Sequence, residues 1–260
     1  MCKVISICNQ KGGVAKTTTA VNLGIGLAKE GNKVCLVDCD AQGSMTIALG
    51  YKEPDRIEVT LATLLSEIME EEEVSISDAI IHQDEGVDLI PANIELAALE
   101  INLVNAMSRE VMLRMLIESI RSEYDYIIID CAPSLGMMTI NALACADSVL
   151  IPVQASYLPV KGLEQLMKTI QRVQKRLNKK LVIEGILLTM VDSRLNYAKD
   201  ISQLVIDTYS NKVPVFETKI PLSVRAAEIT VEGTSIYQYD PKGKATAAYR
   251  TLTGEVISHG

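Results

Sequence analysis

Lys11-Gly12-Gly13-Val14-Ala15-Lys16-Thr17-Thr18 is the stretch that decides the fold. It follows an apolar segment of strand character, residues 3 to 8, and opens an amphipathic segment that runs to about Lys29. A glycine-bearing loop between a strand and a helix turns consecutive backbone N–H groups towards phosphate oxygens, and the helix adds its positive N-terminal end. Lys16 then supplies a charge for the β and γ phosphates, and the Thr17 hydroxyl is placed to bind Mg²⁺. The stretch predicts a nucleotide phosphate site.

Apolar runs alternate with helical periodicity along the rest of the chain. We predict strands at about 3–8, 33–37, 87–90, 125–130, 147–153, 182–189 and 213–220, and a short helix at 61–69. This alternation is typical of an α/β fold with a mostly parallel twisted sheet and helices on both faces. No repeat or linker divides residues 1–260, so we expect a single domain of P-loop nucleotide-binding architecture.

Three aspartates follow predicted strands. Asp130 ends the apolar run 126–129, where a carboxylate can lie beside the metal ion; a simple turn-capping role before Pro133 is the alternative. Asp38 and Asp40 are two residues apart at the end of the second strand, so in extended geometry both face the same side. We therefore expect both to face the phosphates, unless one of them is purely structural.

At these motifs the chain resembles the ParA/MinD family of ATPases, whose phosphate loop reads KGGxGKTT. Further matches are "LVDCDAQGSMT" at 36–46, "YDYIIIDCAPSLG" at 124–136, "GILLTMVDSR" at 185–194 and "IPLSVRAAE" at 220–228. The resemblance is nearest to small ParA/Soj-type partition ATPases and covers nearly the whole chain. One departure is Ala15, where the family has Gly. An added Cβ there costs on the order of 1 kcal/mol if the loop needs a left-handed backbone.

The resemblance implies roles for individual residues. It implies that Asp38 helps to hold the Mg²⁺ shell with Thr17 and Asp130, and that Asp40 positions the attacking water. Lys11 is implied to reach the nucleotide of a second subunit in an ATP-dependent sandwich homodimer, acting with Lys16 and Asp40 in catalysis. The implied nucleotide contacts are Lys11, Gly12, Gly13, Val14, Ala15, Lys16, Thr17 and Thr18, with Pro221 and Ser223 near the adenine, although the family usually has Asn at 223.

The charge of the chain is uneven. The net charge is −8, but residues 161–260 hold 15 Lys/Arg against 10 Asp/Glu, whereas residues 1–160 hold 10 against 23. Part of the excess of basic residues lies on a predicted helix from Leu158 to Leu177. Such a run of basic residues is usually just the solvent-exposed face of a helix. Arg194 and Arg225 match arginines that contact DNA non-specifically in similar Soj-type proteins, while an arginine common in the family is replaced by Leu222. The resemblance therefore implies non-specific DNA and a ParB-like centromere-binding protein as partners.

Other classes on the same scaffold are less well supported. A MinD-like membrane ATPase ends in a basic amphipathic helix, whereas the segment 246–260 has one Arg. An iron–sulfur reductase needs exposed loop cysteines, but the six cysteines lie in apolar segments, and a metabolic ligase remains an alternative. The first strand begins near Met1, so we expect no signal peptide, no helix-turn-helix module and a cytoplasmic, nucleoid-associated protein.

Overall fold

The computed structural model describes residues 2–72, 74–155, 159–192 and 194–259, with the side chains of 159–161 not described. Leu158, the predicted start of the basic helix, lies outside these residues. The strands are β1 (Lys3–Ile7), β2 (Val34–Cys39), β3 (Ile81–His82), β4 (Val87–Ile90), β5 (Tyr126–Cys131), β6 (Ser148–Gln154), β7 (Val182–Val191) and β8 (Val215–Pro221). The helices are α1 (Lys16–Lys29), α2 (Ser44–Ala48), α3 (Leu61–Met69), α4 (Glu95–Leu103), α5 (Met112–Ile120), α6 (Met137–Cys145), α7 (Pro159–Arg176), α8 (Asn196–Tyr209), α9 (Val224–Glu232), α10 (Ile236–Tyr239) and α11 (Lys244–Ser258).

The strands form one sheet in the order β3-β4-β2-β5-β1-β6-β7-β8. Every pairing is parallel except that of β3 with β4. Every residue of β2 is buried, as is nearly every residue of β5 and β6, which explains their unbroken apolar sequences. The predicted α/β fold with a mostly parallel sheet is confirmed. The antiparallel edge strand β3 was not predicted, because two residues carry no readable periodicity.

Helices cover both faces of the sheet, as predicted. One apolar core lies between the sheet and α3 to α8. The other lies between the sheet and α1, α2 and α9 to α11. The apolar spacing of the predicted helix puts positions 163, 166, 170, 173 and 177 on its inward face. Leu163, Leu166, Ile170 and Val173 are buried, whereas Leu177, just after α7 ends, is only partly buried. The described basic residues of this helix lie on the opposite side. No helix within the described ranges is both long and apolar enough to cross a membrane.

The contact between α1 and α11 requires a glycine. A Cβ placed on Gly26 would overlap the Thr253 and Tyr237 hydroxyl oxygens. Thr253 is itself buried and donates a hydrogen bond from its hydroxyl to the Tyr249 carbonyl at 2.9 Å. The glycine thus sets how closely the last helix approaches the helix that follows the phosphate loop.

We expect Gly26→Ala to lower the free energy of unfolding by about 1–3 kcal/mol, because two packed helices must separate to admit the methyl group. Gly254→Ala is the matched control on α11: it is exposed and a Cβ there meets nothing within 4 Å. The control should raise stability by up to about 1 kcal/mol, since Ala is the better helix former. Urea denaturation measures both. Equal effects of the two variants would contradict the proposed close packing.

Candidate functional site

A pocket of about 370 Å³ opens at the carboxyl edge of the sheet, where the loops after β1, β2 and β5 meet. Ligands of open parallel sheets bind at this edge. The residues that line the pocket are Gly12, Gly13, Ala15, Lys16, Thr17, Thr18, Asp40, Ser44, Pro133, Met190, Ile220, Pro221, Leu222, Ser223, Ala226, Ala227, Thr230 and Tyr249. The phosphate loop and the segment after β8 therefore form opposite parts of one cavity.

The phosphate loop is tied to the sheet on both sides. The Asn9 side chain donates to the Pro152 carbonyl at 2.7 Å and accepts from the Lys11 backbone N–H at 3.0 Å. The Thr189 hydroxyl donates to the Val14 carbonyl at 3.0 Å. Val14 is buried, so only its backbone belongs to the cradle. These bonds are made by the protein itself, so they lower the cost of ordering the loop around a phosphate chain.

Lys16 lies inside this loop. It is 7 % exposed, and its ammonium group donates to the Lys11 carbonyl at 3.1 Å. Burial lowers its pKa, while nearby Asp130 acts in the opposite direction. An ammonium group held with few protein acceptors is matched to an anionic ligand. Lys11 itself is exposed, does not line the pocket, and has no ion pair among the described residues.

Asp130 and Thr17 form the part of the site that suits a divalent cation. The Thr17 hydroxyl donates to Asp130 Oδ2 at 2.6 Å, while the buried Asp130 Oδ1 has no hydrogen-bond partner among the residues that the structure describes. Burial, and next the neighbouring Asp38, raise the pKa of Asp130 to about 8. A cation would stabilise the ionised carboxylate and satisfy the free oxygen, so hard oxygen donors are present where Mg²⁺ chemistry needs them. No group of three or more His, Cys, Asp or Glu within the described residues could hold a metal by itself.

Asp38 and Asp40 lie in different surroundings, which agrees with the alternative that one of them is structural rather than with the expectation that both face the phosphates. Asp40 lines the pocket and its Oδ1 accepts from the Gln42 N–H at 3.1 Å. Asp38 is fully buried and does not line the pocket; it accepts from the Thr46 N–H at 2.9 Å, the Thr46 hydroxyl at 2.8 Å and the Asp40 N–H at 3.2 Å. Burial raises its pKa to about 6. The alternation of side chains along a strand does not predict the direction of Asp40, because the strand ends at Cys39 and the chain turns there.

The far end of the pocket contains both residues predicted near the adenine. Pro221 ends β8, and Ser223 caps α9 by accepting from the Ala226 N–H at 3.2 Å. Sequence reasoning missed Met190, Ala226, Ala227 and Thr230, which also line this end. Met190 has φ 54°, where the pairing of β7 with β8 is irregular. Nothing in the sequence indicates that Met190 has a left-handed backbone. The presence of Ala226 and Ala227 in the pocket could have been predicted, because they lie three and four residues after Ser223 on α9.

Arg194 lies on the loop that follows β7, and Arg225 lies in the first turn of α9, just after β8. Their side chains are 84 % and 61 % exposed, and each pairs with a carboxylate of the same chain, Asp192 and Asp240 respectively. The segments that follow β7 and β8 are neighbours, since the Leu222 N–H donates to the Val191 carbonyl at 3.2 Å. The predicted DNA arginines are thus at the same edge of the sheet as the nucleotide pocket, but their ion pairs were not predicted.

Known proteins resemble this chain over its whole length. A family model described as "AAA domain" matches residues 2–183. The sporulation initiation inhibitor protein Soj of Bacillus subtilis is 45 % identical over 260 residues, covering 100 % of both chains. The chromosome partitioning protein ParA of Myxococcus xanthus is 42 % identical over 257 residues, covering 98 % of this chain and 88 % of its own. A structure titled cobyrinic acid a,c-diamide synthase from Mycobacterium smegmatis, with bound ATP analogue and magnesium, is 36 % identical with a TM-score of 0.87, covering 100 % and 96 % of the two chains.

Ala15 is the residue at which this loop carries strain. Its φ is 63° and ψ 36°, so the left-handed backbone that disfavours a Cβ is present. We expect Ala15→Gly to raise the free energy of unfolding by up to about 1 kcal/mol, because the relief of about 1–2 kcal/mol is partly offset by the freedom of Gly in the unfolded chain. Urea denaturation measures the change.

Glu71→Gly is the matched control, since Glu71 has φ 58° in an exposed turn after α3. The two variants should gain similar stability. Binding of an ATP analogue by Ala15→Gly should stay close to that of the unsubstituted protein, because hydrogen bonds within the protein hold the loop that contains this left-handed residue. A tenfold tightening would show instead that alanine at this position opposes the binding conformation.

Proposed function

The chain belongs to the ParA/MinD family as a ParA/Soj-type partition ATPase, and from this premise we propose that ATP joins two copies into a sandwich dimer that binds DNA non-specifically. Hydrolysis is slow and Mg²⁺-dependent, and a ParB-like partner stimulates it. The observation that carries the proposal is the placement of the Lys16 loop, Asp40 and the Thr17–Asp130 pair around one pocket. The protein acts in the cytoplasm, associated with the nucleoid.

The nucleotide site follows from the loop geometry. The N–H groups of residues 12–18 bind the phosphates, Lys16 neutralises the β and γ oxygens, and Pro221 and Ser223 lie against the adenine. Thr17 and Asp130 would hold the Mg²⁺, and Asp38, on the neighbouring strand, accepts hydrogen bonds from Thr46 of α2. When bound, the cation neutralises charge that develops on the phosphates. Asp40 orients the attacking water.

The dimer rests on Lys11 and Gly12. Both are exposed; Gly12 lines the pocket, and Lys11, just before it, has no ion pair in the part of the chain that the structure describes. A Cβ at Gly12 would meet only Pro133 Cβ at 3.9 Å within its own chain, so the intramolecular packing does not require glycine there. Close approach of a second subunit at this position would require glycine. Lys11 from each copy then completes the phosphate site of the other, as a cation delivered in trans.

Three alternatives have less support. The apolar face of α11 is buried against α1 and β8, which leaves little of this helix for a lipid surface in a MinD-like membrane ATPase. All six cysteines are free and buried, which does not suit a reductase with a bridging cluster. A synthase is suggested only by the name of one structural neighbour, whereas relatives of higher identity are named for partitioning and for Soj.

We expect Asp40→Ala to lower ATP hydrolysis about a hundredfold or more while leaving an ATP-bound dimer, because the residue acts on the water rather than on the phosphate chain. Turnover is measured by phosphate release and assembly by light scattering with Mg²⁺-ATP. Lys16→Ala is the control that should bind no nucleotide and remain monomeric. Normal turnover by Asp40→Ala would remove the assigned role, and a monomer in the presence of ATP would remove the dimer.

Arg194→Glu combined with Arg225→Glu should weaken ATP-dependent binding to non-specific duplex DNA by about tenfold or more, since two phosphate contacts are lost and charges are reversed. Dimerisation should be unchanged. The control is Lys175→Glu combined with Arg176→Glu at the end of α7, which makes the same change of charge on the basic helix. Fluorescence anisotropy at two salt concentrations measures binding. A larger loss of DNA affinity in the control variant would indicate that the DNA-binding surface lies on α7.

A further inference from the structure

Each arginine of the proposed DNA surface is already bound to a carboxylate. Arg194 donates from Nε to Asp192 Oδ1 at 2.8 Å and from Nη2 to Asp192 Oδ2 at 2.6 Å. Arg225 donates from Nη1 to Asp240 Oδ1 at 2.8 Å. The side chains of Asp192 and Asp240 are 15 % and 17 % exposed, so each carboxylate lies beneath a guanidinium group that faces solvent.

The two pairs differ in how much of the arginine they occupy. Asp192 uses the forked face of Arg194, which is the face that binds carboxylates and phosphates in bidentate fashion. It also accepts from the Arg194 backbone N–H at 3.1 Å, and these hydrogen bonds lower its pKa to about 2. The carboxylate is therefore charged at every physiological pH. Asp240 holds Arg225 through a single nitrogen, so most donors of Arg225 stay free.

We propose that Asp192 and Asp240 limit the DNA affinity of this protein by competing with backbone phosphates for Arg194 and Arg225. The inference rests on the proposed function, since it concerns the same DNA surface. Exposed ion pairs of this kind are weak, so a phosphate can displace the carboxylate. The displaced carboxylate stays nearby and repels the phosphate that replaced it. The opposite role, in which the aspartates position the arginines for DNA, is disfavoured for Arg194 because the forked face is the one occupied.

The test is Asp192→Asn and Asp240→Asn, with binding to non-specific duplex DNA measured by anisotropy in the presence of a slowly hydrolysed ATP analogue. Asp192→Asn should bind about three- to tenfold more tightly, because a donor pair is released and a charge removed. Asp240→Asn should have a smaller effect in the same direction. Asp200→Asn is the matched control: it removes one charge from α8, and among the described residues Asp200 has no ion pair. It should change affinity less than either.

Binding of the ATP analogue, measured separately, shows that each variant is folded. Asp192→Ser is a second variant that keeps a side-chain acceptor for the Arg194 N–H, so the turn is retained while the ion pair is lost. If the unsubstituted protein binds DNA and the Asp192 variants bind equally or more weakly, the competition is refuted and the function stands. If no form of the protein binds DNA, the proposed function fails together with this inference. An equal gain of DNA affinity in Asp200→Asn would show that the change in net charge, and not the release of an arginine, causes the effect.

Discussion

The rest of the structure depends on a cradle of backbone N–H groups held at the carboxyl ends of buried parallel strands. Such a loop has few side chains of its own with which to pack, so its shape must come from neighbours. Asn9 ties it to β6 and Thr189 ties Val14 to β7. Thr17 connects the helix that follows it to Asp130 at the end of β5. The conformation of the loop thus depends on β1, which precedes it, and on contacts with β5, β6 and β7. These contacts stabilise the loop in the shape that includes the left-handed Ala15.

The carboxylates beneath the loop follow from the same frame. Asp38 and Asp130 lie opposite each other on neighbouring strands, both buried, and burial raises the pKa of each. Asp38 is stabilised by three hydrogen bonds, whereas Asp130 Oδ1 has no hydrogen-bond partner among the described residues. The hydrogen bonds of Asp38 connect β2 to α2. A cation beside Thr17 and Asp130 would satisfy the free oxygen, which supports the proposal that these two residues hold the metal.

Much of this could be predicted from sequence because the strands of the parallel sheet are buried on both sides and appear as apolar runs. The phosphate loop and Asp40 could be placed in the same way, since each directly follows such a run, whereas the assignment of Pro221 and Ser223 came from the resemblance to the family. What could not be predicted depends on backbone direction after a strand ends. The turn after Cys39 separates Asp38 from Asp40, and the irregular β7–β8 pairing brings Met190 into the pocket. The edge strand β3 is too short to show a pattern, and the Asp240–Arg225 pair joins residues fifteen positions apart.

The end of the sheet formed by β7 and β8 connects the nucleotide to the charged surface. The segment after β8 carries Pro221 and Ser223 in the pocket and, two residues later, Arg225 outside it. A backbone hydrogen bond from Leu222 to Val191 joins this segment to the one that leads to Arg194. The nucleotide pocket and the two arginines therefore share one continuous stretch of backbone contacts. A net charge of −8 describes the whole chain, but affinity for a polyanion is decided locally, by which donors of Arg194 and Arg225 are free.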